Sequence, residues 1–285
     1  MLSHEALFWR RLAHWGASKG PGWFVRYSPP VIGWAAAALV PSARHAVHRN
    51  LLRIRGPVSS ARDTADILAT FANYASCLAE ALSNDAEAVP HEPEATIVRR
   101  EYARAAIGKK RGLVLVTAHT AGWDVLGPLI ARDYAMPMLI VMAKERDEGA
   151  RELQDSKRKR SDVGIVHVGD PLASLSLLRH LKNGGIVALQ LDRAARGMRM
   201  RKVPLLGEQG EVPEGPLRLA QVSGAPILPV FCARTGFRRY TIEVFEPVSL
   251  ARQANDAELD RAATALAAAM TTFLRSHPTQ WFHFH

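Results

Sequence analysis

From residue 113 onward, short apolar runs alternate with helical patterns, and this alternation constrains the fold more than any other feature. The runs are Leu113–Thr117, Met138–Met142, 164–168, Ile186–Gln190, 227–232 and 240–245, and the helical patterns are 146–161, 172–182, 216–223 and 257–276. Strands separated by helices predict an α/β fold with a mostly parallel mixed sheet flanked by helices. The last two strands are the expected exception, because their short connection predicts an antiparallel pair.

The first 56 residues differ in composition from the rest, and we predict that they form a helical, membrane-associated arm ahead of a main domain at residues 57–285. Four of the six tryptophans fall here, among arginines: Trp9, Trp15, Trp23 and Trp34. Tryptophan beside cations suits the headgroup region of a membrane, although such an arm can also pack its rings onto the main domain. The apolar centre at 31–40 is shorter than the roughly 20 residues that span a bilayer, so we expect it to dip into the interface.

Two more helices are predicted downstream of the arm, at 63–82 and 94–107, where apolar residues recur with helical spacing.

The balance of charge is strongly basic, with 37 Lys and Arg against 27 Asp and Glu and a net charge of +10. Such a protein favours anionic partners, namely phospholipid surfaces, nucleic acids or acidic proteins. The two cysteines, Cys77 and Cys232, match no zinc-binding spacing and are expected to be buried apolar residues in a reducing compartment. Neither a phosphate-binding loop nor a dinucleotide-binding motif occurs, so no cofactor or metal is expected.

A candidate catalytic motif, His119-Thr-Ala-Gly-Trp-Asp124, directly follows the strand Leu113–Thr117. Gly122 loosens the backbone and a helix is predicted after it, so the junction can fold Asp124 back onto the imidazole. A carboxylate in that place fixes the tautomer and stabilises the imidazolium when His119 takes a proton from a substrate hydroxyl. The alternative is that His119 is a buried core residue and that Asp124 caps a helix.

Other segments are candidates for binding a substrate. Asp192 follows the strand Ile186–Gln190, and sites form at strand carboxyl ends in open α/β sheets, although an aspartate there can simply cap a turn. Basic runs at 144–160 and 193–202 suit a phosphorylated ligand or an acidic protein, or are solvated surface. Around Gly215 a helix start can offer free backbone N–H groups to phosphate or an oxyanion, though most such turns bind nothing.

In their order along nearly the whole chain, these segments resemble the lipid A late acyltransferases, within the lysophospholipid acyltransferase superfamily. His119 and Asp124 match the H-x4-D/E motif of that family, and Asp192 matches its strand-end aspartate. The other matching segments are Arg49-Asn-Leu-Leu52, Val203-Pro-Leu-Leu-Gly207, Gly215-Pro-Leu-Arg-Leu-Ala220, Gly224-Ala-Pro-Ile-Leu-Pro-Val230 and Pro278-Thr-Gln-Trp-Phe-His-Phe-His285.

The chain departs from the family pattern at three positions. Gly122 stands where the family often has Asn, Asp124 where it often has Glu, and Arg193 where it has Gln. Pro213-Glu-Gly215 also resembles the box that helps glycerolipid acyltransferases to bind the phosphate of their acceptor.

The resemblance implies a glycerolipid acyltransferase-like domain that moves a fatty acyl chain from a thioester to a hydroxyl of an anionic membrane lipid, most simply a lipid A precursor. The donor would be acylated acyl carrier protein or acyl-CoA, with no cofactor, no metal and no nucleic acid partner. His119 would be the general base and Asp124 would orient it. The substrate-binding candidates are Arg158, Arg160, Asp192, Arg196, Arg199, Arg201, Glu214 and Gly215.

The resemblance also implies a peripheral or monotopic protein on the cytoplasmic face of the bacterial inner membrane. Three alternatives remain open: a lysophospholipid or aminolipid acceptor, a hydrolase that uses the same pair to activate water, and a binder of membranes or nucleic acid without catalysis.

Overall fold

A computed structural model describes residues 20–83, 93–107, 111–122, 127, 130, 134–142, 163–167, 173–193 and 197–284. The helices predicted directly after Trp123 and at 146–161 fall largely outside these residues, so both stay predictions.

A mixed sheet organises the described part of the chain. The described strands are β1 Glu94–Val98, β2 Leu113–Thr117, β3 Met138–Met142, β4 Val163–His167, β5 Ile186–Gln190, β6 Met200–Leu205, β7 Glu208–Pro213, β8 Ile227–Gly236 and β9 Arg239–Val244. The spatial order of the sheet is β1-β9-β8-β2-β5-β3-β4, and a separate hairpin is formed by β6 and β7. Neighbouring strands of the sheet run parallel except β8 and β9, which are antiparallel as the sequence predicted.

Helices cover both faces of this sheet, which confirms the predicted α/β class. The described helices are α1 Gly22–Leu39, α2 Pro41–Arg55, α3 Ser60–Leu82, α4 Arg100–Ile107, α5 Ala173–Lys182, α6 Gly215–Ser223 and α7 Asp256–Ser276. Helix α7 begins with a capping box, in which the side chains of Asn255 and Glu258 each accept a hydrogen bond from the other's backbone N–H.

The central strand β2 is buried on both faces, which explains its uninterrupted apolar sequence. Val114 and Val116 belong to the core that α7 covers, whereas Leu113 and Leu115 belong to the core on the α4 side. Both cysteines are thiols rather than halves of a disulfide, and both are buried in the second of these cores, as expected.

The segment predicted as one helix at 94–107 is a strand followed by a helix, so that prediction was wrong in its first half. β1 pairs with β9, and only Arg100–Ile107 is helical. Arg99 separates them with a φ of 58°. The run Thr96-Ile-Val98 is β-branched, and the open edge of β9 gives it a partner that helical spacing could not reveal.

The hairpin of β6 and β7 was not predicted either, because its strands are rich in charged residues. Its two-residue turn consists of Leu206 and Gly207, which have φ values of 57° and 86°. Two positive φ values match the twist of a tight hairpin, but such turns usually carry Asn-Gly, so the sequence lacked their usual signature.

The predicted N-terminal arm is described from residue 20 onward, where it forms α1 and α2. α1 crosses α3 so closely that a Cβ on Gly33 would lie 2.5 Å from the carbonyl oxygen of Phe71. A small core joins the three helices through Ala37, Val47, Leu51, Ile67 and Phe71. No described helix is long and apolar enough to cross a membrane. The division at residue 56 stays a prediction.

Candidate active site

His119 and Asp192 lie side by side because each follows one of two neighbouring parallel strands by the same number of residues. β2 and β5 pair with Thr117 opposite Gln190, so two further residues on each strand lead to His119 and Asp192. The pairing continues past the strand ends, where the N–H of Leu191 donates to the carbonyl oxygen of Thr117 at 2.8 Å. The pair therefore occupies the carboxyl end of the sheet, where open α/β folds bind their ligands.

The carboxylate of Asp192 is held by donors from two segments of the chain. Its Oδ1 lies 2.9 Å from Nδ1 of His119, and the backbone N–H of His119 lies 3.1 Å from both oxygens. Its Oδ2 accepts a hydrogen bond of 2.9 Å from the indole N–H of Trp281. Both carboxylate oxygens are thus occupied, so the side chain has little freedom to rotate.

Burial and hydrogen bonding have opposing effects on the charge of Asp192. Its side chain has no exposed surface, and this burial by itself would raise the pKa of the carboxyl. The hydrogen bonds and charge of His119, together with the bond from Trp281, outweigh burial and hold the pKa of Asp192 below its ordinary value. Asp192 is therefore a carboxylate at neutral pH.

An ionised carboxylate can only accept, so the proton on the neutral imidazole of His119 lies on Nδ1. Nε2 then carries the lone pair, and no described residue hydrogen-bonds to it. The side chain of His119 is 26% exposed. This arrangement can accept a proton on Nε2 and stabilise the resulting imidazolium through Asp192.

The contact predicted between Asp124 and His119 stays a prediction, because Asp124 lies outside the described residues. Arg158, Arg160 and Arg196 also lie outside them, and nothing further follows about their predicted binding roles. Asp192 was predicted as a supporting or hydroxyl-binding residue, and the structure brings it into direct contact with the imidazole.

Arg201 and Glu214, both predicted to bind substrate, bind each other. Arg201 donates to Glu214 at 2.8 Å and also pairs with Asp256 and Asp260 on α7. Partial burial would lower the pKa of Arg201, but these carboxylates raise it above its ordinary value. A guanidinium that already holds three carboxylates has little capacity for a phosphate, and the binding roles predicted for Arg201 and Glu214 stay predictions.

Arg199 and Gly215 are the remaining predicted binding residues. The side chain of Arg199 is exposed, and its carbonyl oxygen accepts the N–H of Glu214 at 2.9 Å. Gly215 begins α6, and a Cβ there would meet only the end of the flexible Met198 side chain, at 3.7 Å. Their roles stay predictions.

Two residues near the pair were not predicted as site residues. Trp281 was noted only within a terminal motif, and Arg193 only within a basic run and as a departure from the family pattern. Arg193 donates to the carbonyl oxygen of Phe282 at 2.7 Å, so its guanidinium ties the end of β5 to the C-terminal segment. Among the described residues, no group of three His, Cys, Asp or Glu side chains is placed to hold a metal ion.

Comparison with known proteins gives distant relatives and one family. Two phosphatidylinositol mannoside acyltransferases of Mycobacterium tuberculosis, from strains CDC 1551 / Oshkosh and ATCC 25618 / H37Rv, are each 24% identical over 182 residues. The match covers 64% of this chain but only 56% of those relatives. A solved 1-acyl-sn-glycerophosphate acyltransferase from Thermotoga maritima aligns over 87% of this chain and 97% of its own, with 13% identity and a TM-score of 0.41.

The family comparison covers almost the whole chain. The model described as bacterial lipid A biosynthesis acyltransferase matches residues 8–285. The chain therefore belongs to the bacterial lipid A biosynthesis acyltransferase family, as its ordered motifs predicted.

Proposed function

We propose that this protein moves a fatty acyl group from a thioester donor to a hydroxyl of an anionic membrane lipid. The observation that carries the proposal is the contact of His119 with Asp192 at the carboxyl end of the sheet, in a chain of an acyltransferase family. A partly exposed imidazole held by a buried carboxylate is suited to remove a proton from an alcohol.

In the proposed reaction, Nε2 of His119 takes the proton of the acceptor hydroxyl while the hydroxyl oxygen attacks the carbonyl carbon of the thioester. Asp192 stabilises the imidazolium that forms. The tetrahedral intermediate then collapses to an ester, the C–S bond breaks, and the imidazolium returns its proton to the leaving thiolate. The acceptor attacks directly, so the chain needs no serine or cysteine nucleophile of its own.

An acylated carrier protein is the donor that we propose. The chain has a net charge of +10, and carriers of this type are acidic, so opposite charge would accelerate their encounter. Acyl-CoA is the competing donor. Transfer from the carrier protein should slow steeply as the salt concentration rises, because salt screens attraction between surfaces more than it affects a preformed site.

A lipid A precursor is the acceptor that we propose, on the strength of the family. The Mycobacterium relatives are described as acting on a phosphatidylinositol mannoside, and lysophospholipids and aminolipids are further candidates. All offer a free hydroxyl on an anionic or zwitterionic lipid, which is the chemistry that the His119 base requires.

Incubation of the purified protein with each donor and each acceptor, with products identified by mass spectrometry, tests the proposal. We expect an ester product that disappears in His119→Ala, with roughly 10²–10⁴-fold loss of rate. Rapid release of free fatty acid without an acceptor would instead identify a thioester hydrolase. Ordinary transfer by His119→Ala would reject the mechanism.

The exposed face of α1 supports the proposal that the protein docks on a membrane surface. Its only charged residue is Arg26, and large apolar side chains stand exposed along it: Trp23, Tyr27, Val31, Ile32, Trp34 and Leu39. α2, which follows, carries the cations Arg44 and Arg49. Apolar rings beside cations suit the boundary between headgroups and acyl chains of an anionic bilayer.

We therefore propose a peripheral or monotopic protein, and the family resemblance supports the cytoplasmic face of the bacterial inner membrane. Sedimentation with vesicles containing anionic lipid tests the role of α1. Substituting Trp23 and Trp34 with Ser should reduce binding about tenfold or more, because each ring buries a large apolar area. Leu175→Ser with Val222→Ser, which changes exposed apolar residues on α5 and α6, should leave binding unchanged. Equal binding by both double variants would contradict the docking face.

A further inference from the structure

The segment Gln280–His283, which we call the C-terminal strap, is hydrogen-bonded to the ends of the central strands. The side chain of Gln280 accepts the N–H of Arg234 at 3.1 Å and donates to its carbonyl oxygen at 3.3 Å, which joins the strap to β8. The N–H of Phe282 donates to the carbonyl oxygen of His119 at 2.8 Å. A short antiparallel bridge between Thr120 and Trp281 accompanies this bond.

Two further donors hold the strap. Arg193 donates to the carbonyl oxygen of Phe282 at 2.7 Å, and the buried Asn50 of α2 donates to that of His283 at 2.6 Å. Consecutive residues of the strap are thus tied to β8, to the segments that follow β2 and β5, and to α2. The backbone of Trp281 has little freedom to move.

Trp281 is the strap residue whose side chain reaches the pair itself. It is 4% exposed, and its indole N–H donates to Oδ2 of Asp192 while Oδ1 faces Nδ1 of His119. A buried carboxylate oxygen without a donor is costly, so this bond favours the rotamer in which Oδ1 meets the imidazole.

We propose that Trp281 is a positioning residue of the acyl transfer reaction, which acts through Asp192 on the orientation and proton affinity of His119. This inference rests on the proposed function. Trp281 would not need to contact either substrate. Among the described residues, the charged or titratable side chains around the contact are His119, Asp192, Arg193 and His283. The ring centroid of His283 lies 5.0 Å from that of Trp281.

The competing explanation is that Trp281 only fills space in the core, and Phe282 offers a matched control. Phe282 is also 4% exposed, and its ring packs against Tyr74. Its link to His119 is a backbone N–H, which a change of side chain retains. Trp281→Phe and Phe282→Leu therefore both make a buried side chain of the strap smaller. Only the first change removes a hydrogen-bond donor from Asp192.

We expect Trp281→Phe to lower kcat about 10-fold to 100-fold with little change in KM, by analogy with the residues that orient a metal-binding histidine through a hydrogen bond. Loss of the indole N–H concentrates the charge of Asp192 on the oxygen that faces His119. The imidazolium form of His119 is then favoured over the neutral form. The acidic limb of the plot of activity against pH should therefore move to higher pH. Phe282→Leu should keep the wild-type position of that limb. The same limb position in Trp281→Phe would overturn the proposal.

A nuclear magnetic resonance measurement keeps the proposal testable if Trp281→Phe does not fold. In protein labelled with ¹⁵N at its six tryptophans, one indole N–H signal should move in Asp192→Asn and stay in place in Asp256→Asn, which changes an exposed carboxylate. That signal should also follow the same pH midpoint as the activity. An unchanged set of indole signals would overturn the contact. Failure of the proposed function can be told apart from failure of the role of Trp281, because in the first case the wild-type protein would transfer no acyl group.

Discussion

Gly122 lies against Cys232 so closely that a Cβ on Gly122 would be 2.6 Å from the sulfur atom. The same Cβ would lie 2.7 Å from the ring of Tyr240, and Gly122 has a φ of 67°. Glycine is therefore required for two reasons, the left-handed backbone and the absence of space. The turn that follows His119 is fixed against the β8–β9 pair by this close approach.

We expect Gly122→Ala to destabilise the protein by about 1–3 kcal/mol, because neither the sulfur nor the aromatic ring can move aside easily. Gly122→Asn should be no better, because Asn tolerates the positive φ but still brings a Cβ. Denaturant unfolding measures the loss, and kcat should fall with it as the turn is displaced. Wild-type stability in Gly122→Asn would show that the close contact is not present.

Replacing each of the two candidate carboxylates tests which of them serves His119. Asp192 occupies Nδ1 in the structure, so Asp192→Asn should lower kcat/KM by about 10²–10⁴-fold, because Asn favours the wrong tautomer of the imidazole. Asp124→Asn should cost less if Asp192 alone orients the ring. The reverse order, with Asp124→Asn inactive and Asp192→Asn near normal, would give the orienting role to Asp124. Thermal unfolding of both variants separates lost folding from lost catalysis.

β2, β3 and β5 were predicted with their observed ends because each is a nearly continuous apolar run between polar turns. The edge strand β1 lacks that signal, so its residues were predicted as part of a helix. The family was also accessible from sequence, because it depends on ordered motifs rather than on geometry.

The direct contact of His119 with Asp192 was not predictable in the same way. The two residues are 73 positions apart, and their strands are neighbours in the sheet although β3 and β4 lie between them in the chain. Their contact depends on strand order and register, which no local pattern records. The bond from Trp281 spans 89 positions and depends on the path of the C-terminal strap. Local sequence supplied the residues but not which carboxylate faces which nitrogen.

The buried acid Glu80 should contribute strongly to the free energy of unfolding. Glu80 on α3 is 2% exposed, and it accepts hydrogen bonds from Arg234, from the hydroxyl of Tyr240 and from the backbone N–H of Arg238. Burial, with Glu80 beside it, raises the pKa of Tyr240, so its hydroxyl stays protonated and donates.

Glu80→Gln should lower the free energy of unfolding by about 3–5 kcal/mol, because it removes one partner of a buried ion pair. Tyr240→Phe keeps the ring and should cost only about 1.5–3 kcal/mol, the contribution of one hydrogen bond to a charged group. The double variant should cost less than the sum, since both changes act on the same bond. Additive losses in denaturant unfolding would show that the two residues do not interact.

The ion pair of Arg201 and Glu214 should make the free energy of unfolding depend on pH in acidic solution. Burial alone would raise the pKa of Glu214, but hydrogen bonds and charge from Arg201 and Arg218 lower it below the ordinary 4.5. A carboxyl whose pKa is depressed in the folded state stabilises the protein above the unfolded value, and this contribution is lost as the pH falls through the folded value. The wild-type protein should therefore lose stability below pH 4.5 partly through Glu214.

Glu214→Gln should lower the free energy of unfolding by roughly 1–2 kcal/mol at neutral pH, because Arg201 keeps its two other carboxylates. Below the ordinary pKa of a glutamate, the variant should lose less stability with falling pH than the wild type does. Glu208→Gln is the control, because Glu208 is 63% exposed and pairs with Arg53 at the surface, where ion pairs contribute little. Denaturant unfolding at several acidic pH values measures the slopes. Equal slopes in Glu214→Gln and the wild type would mean that Arg201 does not hold Glu214 ionised in the folded protein.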